Sequence, residues 1–211
     1  MKCSNICEEE RSKFLTNIVN NLPKVCKEVV KNENPEKIQD LILSRVFFSQ
    51  DLKEPKIIKI SGFSNGKKML QGLNEKEIKT RIPIDFFEKI SYTKEKNNIK
   101  LVFISLANLG LSTKLNKIKG IEYEEICEQA KQFGLSLCPP EIGPQLRLQY
   151  SNQPKGEWIV IATEPIIDSD DIPKLFVVGS NDSGLWLNSV RYHKKDDFFS
   201  GQRLFAFVVN Q

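Results

Sequence analysis

Glu141, Arg147 and Glu157 are the residues of this chain whose types and spacing come closest to a chemical constellation. Two carboxylates beside a guanidinium can run acid/base chemistry or grip a polar ligand: the carboxylates pass protons and the fork of N–H donors holds an oxygen. Gln149 and Trp186 extend the set as ligand-binding candidates, one polar and one aromatic. His193 is the single imidazole, and with Glu141, Arg147 and Glu157 it completes the catalytic candidates of a small hydrolase or transferase. The plainer expectation is a salt bridge from Arg147 to Glu141 or Glu157 that ties a backbone corner to a sheet, and it is the favoured one.

Other chemistries are weaker still. Cys138, next to Pro139, could act as a nucleophile if His193, oriented by Asp196 or Asp197, served as its base. The surrounding residues match neither a papain-like nor a caspase-like signature, and a cysteine at the end of an apolar run is usually a small core residue. Cys3, Cys7 and Cys26 lack the second close pair that a zinc site needs, and one histidine excludes an HExxH motif. No metal and no cofactor are expected. Gly62 to Lys68 carries glycine and lysine without the spacing of a phosphate loop, so it reads as a turn. Five cysteines, an odd number thinly scattered, suit free thiols in a reducing compartment.

Charge is distributed unevenly. The net +4 arises because residues 1–100 hold 20 Lys and Arg against 14 Asp and Glu, whereas residues 151–211 hold 6 against 8. Residues 53–100 contain 11 lysines and Arg81, a bias that can mark a nucleic-acid surface. The lysines are evenly spread and arginine is scarce there, so a solvated lysine surface is the favoured reading. The longest apolar stretch, residues 99–111, is interrupted by Lys100, Asn108 and Gly110, and the acidic start at Glu8–Glu10 is unlike a leader peptide. A cytoplasmic protein without a membrane partner is expected.

The elements that must position these residues fall into two regions. Residues 1–95 are expected to be mainly helical and lysine-rich: Phe14, Leu15, Ile18, Val19, Leu22, Cys26, Val29 and Val30 share a helical face, and Asn34-Pro35 opens a second helix through Val46. Lys56–Ile60 reads as a short β-branched segment, Ser64-Asn65-Gly66 as a turn, and Asn74 with Glu77 as the cap of a short helix ending near Arg81. Residues 96–211 are expected to hold a strand over Asn98–Leu106, a helix from Glu122 to a C-cap at Gly134, and then β structure. Pro139, Pro140, Gly143 and Pro144 predict a rigid non-helical corner. Alternation of Leu146, Leu148 and Tyr150 with Arg147 and Gln149 predicts a strand. With Glu157–Thr163, Lys174–Val178, Leu185–Leu187 and Arg203–Val209, that gives five antiparallel strands in a small barrel or sandwich. Asn181-Asp182-Ser183-Gly184 is the hairpin loop among them, and Asp168–Pro173 a longer acidic turn. The expected fold class is therefore α+β, a helical N-terminal region followed by a mixed domain with an antiparallel β half.

The run Leu137-Cys138-Pro139-Pro140-Glu141-Ile142-Gly143-Pro144-Gln145-Leu146-Arg147-Leu148-Gln149-Tyr150, followed by Gly156-Glu157-Trp158, Ile161-Ala162 and Gly184-Leu185-Trp186, resembles a group of uncharacterised bacterial and phage-like hypothetical proteins. The resemblance covers about residues 100–211 and implies a fold without an activity. Trp158, Trp186, Tyr192, Phe198 and Phe199 could stack on bases or sugars, although most are expected in the core. The leading expectation is a binding or interaction module, without enzymatic activity, for an unknown protein or small polar ligand. The alternatives are the hydrolase or transferase above and nucleic-acid binding through residues 53–100.

Overall fold

The computed structural model describes residues 55–60, 62–93, 97–109, 111, 121–192 and 203–209. All of them belong to one compact unit, Lys53–Gln211. The helices expected over residues 8–46, the cysteines at 3, 7 and 26, and His193, Asp196, Asp197, Phe198 and Phe199 lie outside the described residues.

Apolar β-branched runs form the strands. β1 (Lys56–Lys59), β3 (Asn98–Ser105), β9 (Leu204–Val209), β5 (Trp158–Ile161), β7 (Pro173–Asn181), β8 (Gly184–Arg191) and β2 (Lys79–Thr80) follow one another in that spatial order. Two short strands lie off this path, β4 (Leu135–Ser136) on β9 and β6 (Ile166–Ile167) on β7. Most pairs are antiparallel, but β5 runs parallel to β9 and β2 parallel to β8. Four helices complete the described residues: α1 (Gly66–Glu75), α2 (Ile84–Glu88), α3 (Tyr123–Gln132) and α4 (Ile142–Gln149).

Strand alternation divides the apolar side chains between two faces. Ile58, Leu101, Phe103, Ala206, Ile159, Ile161, Phe176, Val178 and Leu187 share one face, and Met69 and Leu73 of α1, Phe86 and Phe87 of α2, and Ile142, Leu146 and Leu148 of α4 join them in a single core. Each of these other than Ala206, when fully buried, contributes about 1.5–3 kcal/mol. Phe86 meets Phe176 edge-on with ring centroids 5.2 Å apart. On the other face Tyr123 of α3 stacks on Phe205, 6.2 Å away, and meets Tyr192 at 5.1 Å.

The fold therefore differs from the expected helical half followed by five antiparallel strands. Among the described residues nine strands, in parallel and antiparallel pairs, make one mixed sheet, and two of them, β1 and β2, come from the lysine-rich segment on the N-terminal side of residue 95. β1 pairs with β3, and β2 with β8.

The strand expected over residues 145–150 is instead the body of α4. Every residue from Ile142 to Leu148 is buried, so the helix has no polar face and no 3.6-residue stripe to betray it. Its prolines do not obstruct it. Pro139 and Pro140 precede it, and Pro144 sits in its first turn, where the missing N–H has no intrahelical acceptor in any case. Gly143 lets the helix lie on the sheet, because a Cβ there would fall 2.6 Å from the Phe176 side chain.

Two smaller differences follow the same logic. Asn65 is the N-cap of α1, its Oδ1 accepting the Lys68 N–H at 3.0 Å, so the expected turn opens a helix. The short helix expected from a cap at Asn74 to near Arg81 does not form, because Asn74 lies in the last turn of α1, Lys76 is its C-cap and Lys79–Thr80 is β2. The helix from Tyr123, the positive φ of Gly134 and the β7–β8 hairpin at Asn181–Gly184 occur where the sequence places them.

Candidate functional site

Because residues 141–149 are helical, the side chains expected to converge do not. Six residues along an α-helix advance about 9 Å and rotate through 240°, so Glu141 and Arg147 leave α4 in different directions. Glu141 is buried and accepts the Thr93 N–H on Oε1 at 2.9 Å, while its Oε2 has no hydrogen-bond partner among the described residues.

Arg147 is also buried, and its terminal nitrogens donate to Gln153 Oε1, the Gly179 carbonyl at 2.9 Å and the Tyr150 carbonyl, while its Nε has no hydrogen-bond partner among the described residues. None of the three is a carboxylate, so the expected salt bridge to Glu141 or Glu157 does not form. Burial lowers the guanidinium to about 10, leaving it charged at neutral pH.

Glu157 accepts the Tyr150 hydroxyl on Oε1 at 2.9 Å. Gln149 behaves like a short piece of backbone: its Oε1 accepts the Lys59 N–H at 3.0 Å and its Nε2 donates to the Lys59 carbonyl at 2.9 Å.

Trp186 lies on the opposite sheet face from the α4 residues, because its neighbour Leu187 points into the core with Phe176 and Val178. Its ring has Lys79 Nζ and the Arg81 guanidinium each 5.7 Å from the centroid, and its Nε1 donates to Asn181 Oδ1 and Ser183 Oγ. Gly179 sits across from both Trp158 and Trp186, and a Cβ on it would come within 2.0 Å of the Trp158 ring. This aromatic cluster is part of the sheet's packing.

Cys138 is buried, its Sγ donating to the Ala206 carbonyl, and burial pushes its thiol far up from its usual range. Such a thiol is no nucleophile at neutral pH.

Two adjoining cavities, of about 510 and 480 Å³, share Lys76, Leu148 and Gln149. The second has lining from β1 (Lys56, Ile57, Ile58), the end of α4 (Arg147, Leu148, Gln149), Ile78 just ahead of β2, and Leu185 of β8. β1 opens the strand order and β2 closes it, and residues of β1, of the segment leading into β2 and of β8 line one cleft.

Three cations, Lys56, Lys76 and Arg147, line this cleft and no carboxylate does. Lys56 holds its Nζ 4.0 Å above the Tyr150 ring and is shifted down by burial, and Lys76 donates to the Leu148 carbonyl at 3.0 Å. Both therefore gather at the carbonyl end of α4, where the helix dipole favours positive charge.

Of the residues expected to bind a ligand, Arg147 and Gln149 reach this cleft. Lys56 and Lys76 lie in the basic segment 53–100 without standing out among its lysines. Tyr150 was legible only as an alternating apolar position. Comparison of the chain with protein-family models, curated proteins and solved structures finds no match.

Proposed function

We propose that the protein is a binding module, without catalysis of its own, whose ligand is anionic and occupies the cleft between β1 and the β2–β8 edge. The observation that carries this reading is the lining, which holds Lys56, Lys76 and Arg147 and no carboxylate, with Glu75 in the adjoining cavity. A cleft lined by one sign of charge raises the local concentration of the opposite sign. Catalysis has less support. Arg147 is engaged by carbonyls and an amide, and the Cys138 thiol is buried and protonated.

Fluorescence anisotropy with labelled poly-L-glutamate tests the reading. Binding is expected at low salt and weakens as ionic strength rises. Lys56→Gln and Lys76→Gln each weaken it about fivefold, while Lys155→Gln, a surface lysine paired to Asp182, leaves it unchanged. Binding that ignores Lys56 and Lys76 refutes the cleft as the site.

A further inference from the structure

The backbone of β1 says what shape the ligand has. Ile60 donates its N–H to the Asn97 carbonyl at 2.8 Å, which makes Ile60 and Asn97 a hydrogen-bonded antiparallel pair. In the register Lys59↔Asn98, Ile58↔Ile99, Ile57↔Lys100, alternate residues face the partner strand, so Ile58 bonds to β3 while Lys59 and Ile57 turn their N–H and C=O away from it. The Gln149 carboxamide takes up both groups of Lys59. Those of Ile57 point off the edge of the sheet at the cleft, beside a side chain that is 66% exposed.

We infer that the cleft accepts an extended acidic peptide segment, which adds to the sheet as a strand along β1, pairing its backbone with Ile57 and its carboxylates with Lys56 and Lys76. This deepens the anionic-ligand reading above and rests on it. Main-chain bonds to an exposed edge supply affinity in strand addition, and side chains on alternate positions supply specificity.

Charge complementarity selects the occupant. β1 of a second copy, running antiparallel with Ile57 opposite Ile57, would make the two Lys56 side chains diagonal neighbours on one face and repel, whereas a Glu- or Asp-bearing strand sets a carboxylate beside Lys56. Acidic residues on such a strand need not compete with a resident carboxylate, because the cleft lining has none.

The test uses the full chain and a fluorescein-labelled peptide of alternating threonine and glutamate, alongside the same peptide N-methylated at consecutive central residues so that neither edge can donate. The unmethylated peptide is expected to bind about tenfold more tightly, and hydrogen exchange of the Ile57 amide is expected to slow when it is added. Ile57→Pro removes that outward N–H without touching the β1–β3 ladder and should weaken the peptide to a similar degree; the methylated peptide gives the same information on the unaltered protein should the variant not fold. Equal affinity for the two peptides, or unchanged exchange at Ile57, overturns strand addition. If the methylated peptide binds equally well and still depends on Lys56 and on salt, the anionic-ligand reading stands and strand addition alone falls. If neither peptide, poly-L-glutamate nor oligothymidylate binds, both fall, and if oligothymidylate alone binds, strand addition falls and the anionic-ligand reading stands with a nucleic acid as the ligand.

Discussion

Arg147 shows how a residue type that suggests chemistry can be consumed by structure. Its guanidinium joins the end of α4 through the Tyr150 carbonyl, the following loop through Gln153, and β7 through the Gly179 carbonyl. Hydrogen bonds from a charged donor each contribute about 1.5–3 kcal/mol, and removing the donor leaves buried acceptors without partners. Arg147→Met is therefore expected to lower stability on the order of 3 kcal/mol in urea unfolding. Arg147→Lys should recover little of it, since one ammonium cannot span three acceptors set around a planar fork. Full stability in Arg147→Met would contradict this role. Nothing in the sequence announces it: the acceptors are two backbone carbonyls and a glutamine, so no charge pattern marks the pairing. Gln149 is equally illegible, because its partner is the main chain of a residue ninety positions away.

Among the elements, those whose cues are local were readable. α3 has glutamates in its first turn, Lys131 in its last and Gly134 at φ 72° beyond it. α4 was not, because burial on every side erases the periodicity by which a helix is recognised. The acidic turn between β6 and β7 lies between these extremes: its position was plain, its electrostatics were not. Asp168 accepts the N–H groups of Asp170 and Ile172, each at 2.9 Å, and pairs with Lys174 Nζ. The Lys174 bond first, and then these amides, hold its carboxyl down to about 2. An unfolded aspartate titrates near about 3.9, so between these values the unfolded chain binds the proton more readily. The contribution of this turn to stability is thus complete above about pH 4 and is lost as pH falls towards 2. The urea midpoint of Asp168→Asn should fall less steeply than that of the unaltered protein across this window. Parallel curves would remove Asp168 from the account.

For the molecule as a whole, the sheet decides what can be separated. A sequence boundary near residue 95 coincides with a change in charge, yet Ile58 and Ile60 of the β1 region, Met69 and Leu73 of α1, and Phe86 and Phe87 of α2 are all fully buried in the core shared with β3, β5, β7 and β9. A fragment beginning at residue 96 would lose both edge strands and expose the faces of α4 and Phe176 that these side chains cover. Such a fragment is expected to lack a cooperative thermal transition by circular dichroism, whereas one beginning at residue 53 keeps every described element. A sharp transition in the shorter fragment would mean that the core closes without them. These pairings are invisible in sequence because β1 finds its partner some forty residues on, and β2 more than a hundred.

The β1 sequence Lys-Ile-Ile-Lys reads nearly the same in either direction and on either face. Period-two burial alone cannot choose between Ile57 and Ile58 as the core residue, since a slip of one position merely exchanges one isoleucine for the other. The carboxamide of Gln149 breaks that tie: by clasping the N–H and C=O of Lys59 it fixes which peptide groups turn outward, and with them which isoleucine turns in. One glutamine on a buried helix thus acts as the ruler against which the edge of the sheet is set.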